Sequence, residues 1–212
     1  MTQTIGGKID DPLLRAVTAG VRIYDLGRPL TIGMPQSPNH PPYWHTLPRR
    51  HGDRVRADGG SAANDLISMG THVGTHIDAL AHVSQDGKLH GGIDAVAAGV
   101  GGRYEELGAH TIAPMVRRGV LLDVPAAIGE RYCPAAYEIT PDDLDAAVAR
   151  QETPVGPGDV VLIRSGWGRH FDNPDRNVYI GHDSGVPGVS EAGARWLAER
   201  GVHAAGADTI AF

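Results

Sequence analysis

The chain has 212 residues, a usual length for one domain, and 41% of them are hydrophobic and 21% charged. This composition excludes an intrinsically disordered protein. Lys and Arg number 19 against 25 Asp and Glu, and the formal net charge of -6 gives no basic surface for nucleic acid. No apolar run approaches the roughly 18 residues of a membrane span, and the N-terminus lacks the apolar stretch of a signal peptide. We therefore expect a cytoplasmic protein of one domain, residues 1–212, that binds neither nucleic acid nor membrane.

The first quarter of the chain predicts one strand and a long loop. Residues 21–26 are favourable for a strand. Residues 29–48 contain many prolines, whose fixed φ and missing N–H donor disfavour regular structure, so we expect a loop there. This loop carries Tyr43 and Trp44, two large amphipathic side chains that could cover a pocket.

The second half predicts alternating strands and helices. Short apolar runs at residues 119–124 and 159–165 are typical of buried strands. Thr140 supplies an N-cap oxygen for a helix that runs to about residue 151, and a second helix covers residues 190–200 before Gly201. Residues 202–212 favour a last strand. The pattern as a whole predicts an α/β fold that is rich in strands.

Four residues with ligand-type side chains lie close together in the sequence: His72, His76, Asp78 and His82. In a helix, His76 and Asp78 would point about 200° apart and could not share an ion. In an extended chain all four positions have the same parity and project to one side. Val73, Thr75 and Ile77 favour a strand, and Gly74 allows a kink.

This set of side chains suits a catalytic metal site. Two imidazoles (His72 and His76) and the carboxylate of Asp78 can bind Zn, Mn or Fe while leaving positions open for water and substrate. His82 lies farther along the same side, where a neutral imidazole could transfer a proton. The alternative is a histidine cluster with a purely structural role.

The sequence from His72 to His82 resembles the signature HxGTHxDxPxH of the cyclase family of metal-dependent hydrolases, which includes kynurenine formamidase and isatin hydrolase. Leu80 stands where the family usually has Pro. The resemblance implies a swivelling β/β/α fold and a divalent ion, Zn or Mn, on His72, His76 and Asp78. It implies further that His82 is the catalytic acid or base. Looser matches occur elsewhere, at residues 24–26, 33–35, 119–124 and 206–209.

The implied function is metal-dependent hydrolysis of a C–N bond in a small, aromatic amide, formamide or lactam. Family members usually continue past the segment that matches Asp208 and supply a His and a Glu there, so either the chain is a fragment or the site lacks these groups. A binding module without turnover, or an enzyme acting on a cyclic ester, remains as an alternative. The resemblance also implies a homo-oligomer as well as a small-molecule substrate.

Four further residues are candidates for substrate binding. Tyr43 and Trp44 could wall an aromatic substrate, although a surface cluster packed on proline is the alternative. Trp167 follows the strand predicted at residues 159–165, where loop residues often meet ligands, and His182 lies in a glycine-flanked loop.

Other polar residues favour structural roles. Asp123 and Asp208 end apolar runs, where capping is the expected use, and Arg164 is suited to pairing with a carboxylate. The single cysteine, Cys133, is expected to be a small buried residue. His40 lacks a ligand-like spacing and is expected to be either solvated or part of the core.

Overall fold

The computed structural model describes residues 12–212. The strands are β1 (Trp44–Arg49), β2 (Asn64–Ser68), β3 (Gly119–Asp123), β4 (Glu138–Ile139), β5 (Val160–Arg164), β6 (Gly188–Val189) and β7 (Ala204–Ala207). The α-helices are α1 (Pro12–Thr18), α2 (Ala95–Ala98), α3 (Val124–Ala127), α4 (Pro141–Gln151), α5 (Arg176–Ile180) and α6 (Glu191–Glu199). Short 3-10 turns occur at His90–Gly92, Ala109–Thr111 and Trp167–His170.

Three parallel strands form the central sheet in the order β3-β5-β7. Helix α4 lies between β3 and β5 in the chain, and helix α6 lies between β5 and β7, as parallel pairing requires a crossover. Strand β4 pairs in parallel with β6, and β1 pairs with β2 in an antiparallel ribbon. The α/β prediction is confirmed.

The two long helices begin and end where the sequence predicts. The Thr140 side chain accepts a hydrogen bond from the backbone N–H of Asp143, whose carboxylate in turn accepts one from the N–H of Thr140. This capping box satisfies the hydrogen-bonding needs of both backbone N–H groups at the start of α4. The Ser190 side chain caps α6 by accepting from the N–H of Gly193, and Gly201 follows the helix with a positive φ of 67°.

The main core lies between the sheet and these helices. Alternate side chains of β3 and β5 point into it, because successive residues of a strand face opposite sides. Its other members come from α3, α4, α6, β4 and the segment before β4; the buried set is Val120, Leu122, Val124, Cys133, Ile139, Leu144, Ala147, Val161, Ile163, Trp196 and Leu197. The opposite face of β3 is open, and Leu121 there is 53% exposed.

Cys133 is completely buried in this core. Burial, followed by the nearby carboxylates, raises the pKa of its thiol to about 12. Because only the thiolate is a nucleophile, we expect the folded protein to resist iodoacetamide at pH 8 for hours and to react once it is unfolded in guanidinium. Mass spectrometry of the alkylated protein checks this. Rapid labelling of the native chain would contradict the burial.

Residues 29–48 are not entirely a loop. Strand β1 takes up Trp44–Arg49 and pairs with β2 across a bulge between Thr46 and Arg49. Pro48 falls in this irregular stretch, where a missing N–H does not interrupt the ladder. The prediction of a loop therefore holds only up to Tyr43.

Of the predicted strands, the one at residues 21–26 was wrong and the one at residues 202–212 was too long. Residues 21–26 take no regular secondary structure, and their apolar side chains are exposed, because no neighbouring strand within residues 12–212 hydrogen-bonds to them. The last strand is limited to Ala204–Ala207, since Asp208 turns away to bind the backbone after β5. In the part of the chain that the structure describes, no helix is long and apolar enough to cross a membrane.

Candidate metal centre

The segment 71–82 is a loop of bends and turns, so the predicted strand is wrong. Gly74 causes the difference, since its φ of 71° lies in a region that residues with a Cβ rarely adopt. A Cβ at this position would also lie 2.9 Å from Leu30 Cδ2 and 3.0 Å from Met34 Cε. The loop therefore folds back on itself at Gly74, with a neighbouring segment packed directly against the glycine.

The loop nevertheless brings all four predicted side chains together around Asp78. Its Oδ1 lies 2.6 Å from Nδ1 of His72 and 3.3 Å from Nε2 of His76. Its Oδ2 lies 4.0 Å from Nε2 of His82. The convergence expected from an extended chain is thus reached by a turn.

The hydrogen bonds fix which nitrogen of His76 carries a proton. Nδ1 lies 2.7 Å from the carbonyl oxygen of Gly74, which can only accept, so Nδ1 is the donor. In the neutral ring, the lone pair of Nε2 then faces the carboxylate oxygen of Asp78 at 3.3 Å. Two acceptors at this distance need a proton or a metal cation between them.

The chemistry of the donor set fits a divalent ion. Ligand atoms on a tetrahedral zinc with bonds of about 2.0–2.1 Å lie roughly 3.3 Å apart. The His76–Asp78 distance matches this spacing, whereas the 2.6 Å between His72 Nδ1 and Asp78 Oδ1 is that of a hydrogen bond. Imidazole and carboxylate suit Zn and Mn alike. A backbone carbonyl behind a metal-binding histidine, as Gly74 provides for His76, is also the usual means of fixing the ring and its tautomer.

The ligand atoms that lie close together form a different combination. Among the described residues, His72, Asp78 and His82 form the one group of three whose ligand atoms all lie within 4.8 Å of one another, and His76 is not part of it. His82 therefore lies close enough to be a ligand, whereas the sequence predicts it as the catalytic acid or base. The assignment of His76 and His82 to these two roles stays a prediction.

The imidazole rings pack around His72. The ring of His82 stacks on it at 3.8 Å between centroids, and the ring of His76 meets it edge-on at 5.4 Å. His40 also approaches, at 5.3 Å, although its sequence spacing gives no sign of this. His40 reaches His72 because residues 40–41 pack against Gly70, just before the loop. Sequence reasoning missed this residue, since a contact between two distant segments leaves no local pattern.

A second apolar cluster lies beneath the loop. Val73, the residue between His72 and Gly74, is 2% exposed and belongs to it. The cluster consists of Met34, Tyr43, Val73, Trp167, Phe171 and Tyr179. It therefore joins the loop to the segment after β5 and contains two of the predicted substrate-binding residues, Tyr43 and Trp167.

The four predicted substrate-binding residues are divided between two environments. Trp167 is buried, and its indole N–H donates to the carbonyl of Tyr179 at 2.9 Å. Trp44 lies on the antiparallel ribbon and is 57% exposed. His182 lies on the surface and pairs with Asp183 at 2.9 Å. Only Tyr43 and Trp167 thus share a cluster with the loop, and contact of any of the four with a substrate stays a prediction.

Capping residues shape the carboxyl end of the central sheet. The carboxylate of Asp208 accepts from the N–H and the hydroxyl of Ser165 and from the N–H groups of Gly166 and Gly168. Asp123 caps α3 and pairs with Arg164 at 2.7 Å. The capping roles expected for both aspartates are confirmed. Asp208 thereby fixes the turn that carries Trp167.

The sequence model of the Cyclase family matches residues 24–212. This range includes the whole of the loop and nearly all of the described chain. The chain therefore belongs to the Cyclase family. No curated protein matches it.

Several solved structures share the fold. A crystal structure of a novel cyclase is 27% identical, with a TM-score of 0.75 over 88% of this chain. The chain spans 64% of that protein's length. Isatin hydrolase A from Ralstonia solanacearum is 25% identical, with a TM-score of 0.69 over 96% of this chain and 74% of its own. An isatin hydrolase bound to the product analogue thioisatinate is 17% identical, with a TM-score of 0.67 over 92% of this chain and 69% of its own.

Proposed function

We propose that this chain is a metal-dependent hydrolase that cleaves a C–N bond of a small aromatic amide, formamide or lactam. The observation that carries the proposal is the convergence of three imidazoles on the carboxylate of Asp78. Membership of the Cyclase family and the likeness to isatin hydrolase A support it. The ion we propose is Zn or Mn.

The four residues of the loop have different roles in this proposal. His72, His76 and Asp78 would hold the cation, which would supply a water of lowered pKa and a Lewis acid for the carbonyl group. His82, whose Nε2 lies 4.0 Å from Asp78 Oδ2, would act as the acid or base that protonates the leaving nitrogen. Its ring is held in place by stacking on His72.

The aromatic cluster supports the substrate class. Tyr43 and Trp167 lie in the same buried cluster as Val73, directly beside the ligand His72. Their side chains provide an apolar wall next to the charged centre, the combination that a small aromatic amide requires. Tyr179 belongs to the same cluster, and burial raises the pKa of its hydroxyl to about 12.

The function is tested with a panel of N-formyl anilides, isatins and lactones, using protein loaded with Zn or with Mn. We expect hydrolysis of at least one C–N substrate that exceeds the rate of His82→Ala. If no compound reacts faster than with this variant, the enzyme hypothesis fails and a binding module is favoured. Preferred turnover of the lactones would instead indicate an enzyme acting on cyclic esters.

We also propose that the chain forms a homo-oligomer with copies of itself. The proposal rests on apolar side chains that are exposed among the described residues.

Two exposed apolar surfaces, one on β3 and one on the ribbon of β1 and β2, are suited to binding a second copy of the chain. A parallel sheet is normally covered on both faces, yet Leu121 on β3 is half exposed. On the ribbon, Trp44, Leu66 and Ile67 are each more than half exposed. A two-stranded ribbon is marginal alone and gains stability by packing against another surface.

Light scattering during size-exclusion chromatography tests the oligomer. We expect a mass that is at least twice 22.4 kDa. Leu121→Asp or Leu66→Lys should lower this mass, because each places a charge in the buried interface. Val96→Lys is the matched control, since Val96 on α2 is 82% exposed and lies outside both surfaces. A wild-type mass of one chain contradicts the proposal.

A further inference from the structure

The side chain of Arg28 is fixed by three contacts to the segment after β5. Its Nη2 donates to the carbonyl of Gly168 at 2.8 Å. Its Nη1 lies 3.6 Å from Asp172 Oδ2, and its guanidinium carbon lies 4.9 Å from the ring centre of Phe171. Arg28 is thus anchored to the turn that Asp208 caps and that carries Trp167.

The backbone of the same residue contacts the metal-binding loop. The N–H of Arg28 donates to Oγ1 of Thr75 at 3.0 Å. Thr75 lies between Gly74, whose carbonyl accepts from His76, and His76 itself. Arg28 therefore links this loop to the carboxyl end of the central sheet, through a bond to Gly168 that spans 140 residues of sequence.

The residues that follow Arg28 strengthen this link. Leu30 and Met34 lie so close to Gly74 that a Cβ there would meet both of them within about 3 Å. The segment 28–34 therefore touches the loop at two successive positions, Gly74 and Thr75. Since this segment has no regular secondary structure, its position depends on side-chain contacts such as those of Arg28.

We propose that Arg28 is a positioning residue for the metal centre. Its side chain fixes the segment 28–34 against the turn at 167–172, and this segment holds the loop so that the imidazole of His76 faces Asp78. The inference rests on the metal centre of the proposed function. It does not depend on the identity of the substrate, so a measurement of metal affinity tests it directly.

The contacts of the Arg28 side chain differ in how strongly they are expected to hold it in place. The pair with Asp172 is long and solvent-exposed, and such pairs contribute little. The hydrogen bond to Gly168 is short and joins a charged donor to a backbone carbonyl, which makes it the stronger anchor. Asp172→Asn should therefore leave metal affinity unchanged, whereas Arg28→Ala should lower it.

The experiment measures the affinity for Zn²⁺ and for Mn²⁺ by competition with a chromophoric chelator. We expect Arg28→Ala and Thr75→Val each to weaken binding by about 10- to 100-fold, as for other residues that orient metal ligands. Arg28→Lys, which keeps one donor for Gly168, should recover part of the loss. The double variant Arg28→Ala/Thr75→Val should bind metal no more weakly than the weaker-binding single variant, because both changes break the same link.

Arg200→Ala is the matched control for a merely structural loss. Arg200 also lies over an aromatic ring, 3.7 Å from the centre of Trp196, and pairs with Asp145, but it belongs to the end of α6. We expect it to lower the melting temperature of the metal-free protein while leaving affinity within about twofold of the wild type. Wild-type affinity of Arg28→Ala, or losses that multiply in the double variant, would overturn the inference. Failure of the wild-type chain to bind either ion would overturn the metal centre itself.

Discussion

His82→Ala is expected to retain the divalent cation and to lose about 10²- to 10⁴-fold in the rate of hydrolysis, as is typical when a proton-transfer group is removed. This expectation takes His72, His76 and Asp78 as the ligands and His82, whose Nε2 lies 4.0 Å from Asp78 Oδ2, as the proton-transfer group. The measurement pairs elemental analysis of the purified variant with its steady-state rate.

The same variant distinguishes the two possible ligand sets. If His82→Ala loses its metal as completely as His76→Ala does, then His82 is a ligand, as its grouping with His72 and Asp78 permits. His45→Ala serves as the control, because this imidazole also lies beside a carboxylate, 3.1 Å from Asp65, but on β1 and outside the loop. It should keep both metal and rate.

Asp78→Ala should abolish metal retention, which is the largest effect on binding that we expect. The substitution removes the one anionic ligand and also the acceptor 2.6 Å from His72 Nδ1. Both His72 and His76 then lose the group that they face. Elemental analysis after dialysis against metal-free buffer should find less than about a hundredth of the wild-type content, in line with losses of tenfold or more for each ligand-orienting contact.

Asp65→Ala is the matched control for this prediction. Asp65 on β2 pairs with His45 on β1 at 3.1 Å, so the chain contains a second histidine–carboxylate pair of similar exposure outside the loop. Its removal should leave the metal content unchanged. Retention of metal by Asp78→Ala, with the fold intact by circular dichroism, would show that the cation is held elsewhere.

The regular elements were predictable where local chemistry specifies them. Thr140 and Asp143 specify the start of α4 through a capping box, and Gly201 specifies the end of α6, so neither depends on distant residues. The prediction for residues 21–26 failed because a strand exists only if a partner lies beside it. Neither the β propensity of a segment nor its apolar side chains reveals whether that partner is present.

The candidate site was predictable in composition but not in shape. Same-side spacing brought His72, His76, Asp78 and His82 to attention, yet Gly74 folds the segment into a loop rather than a strand. The contacts of His40 and Arg28 were beyond sequence reasoning, since they join segments that are 30 to 140 residues apart. Such contacts depend on tertiary packing, which no local pattern encodes.

The burial of Cys133 has a practical consequence for spectroscopy. As the chain contains one cysteine and its side chain is shielded, dyes attach only at cysteines that are introduced at exposed positions. Val83, which is 70% exposed and adjoins His82, and Val100 beyond α2 are suitable positions. A donor and an acceptor placed there would act as a molecular ruler for loop movement when the ion is added, with the native sequence otherwise intact.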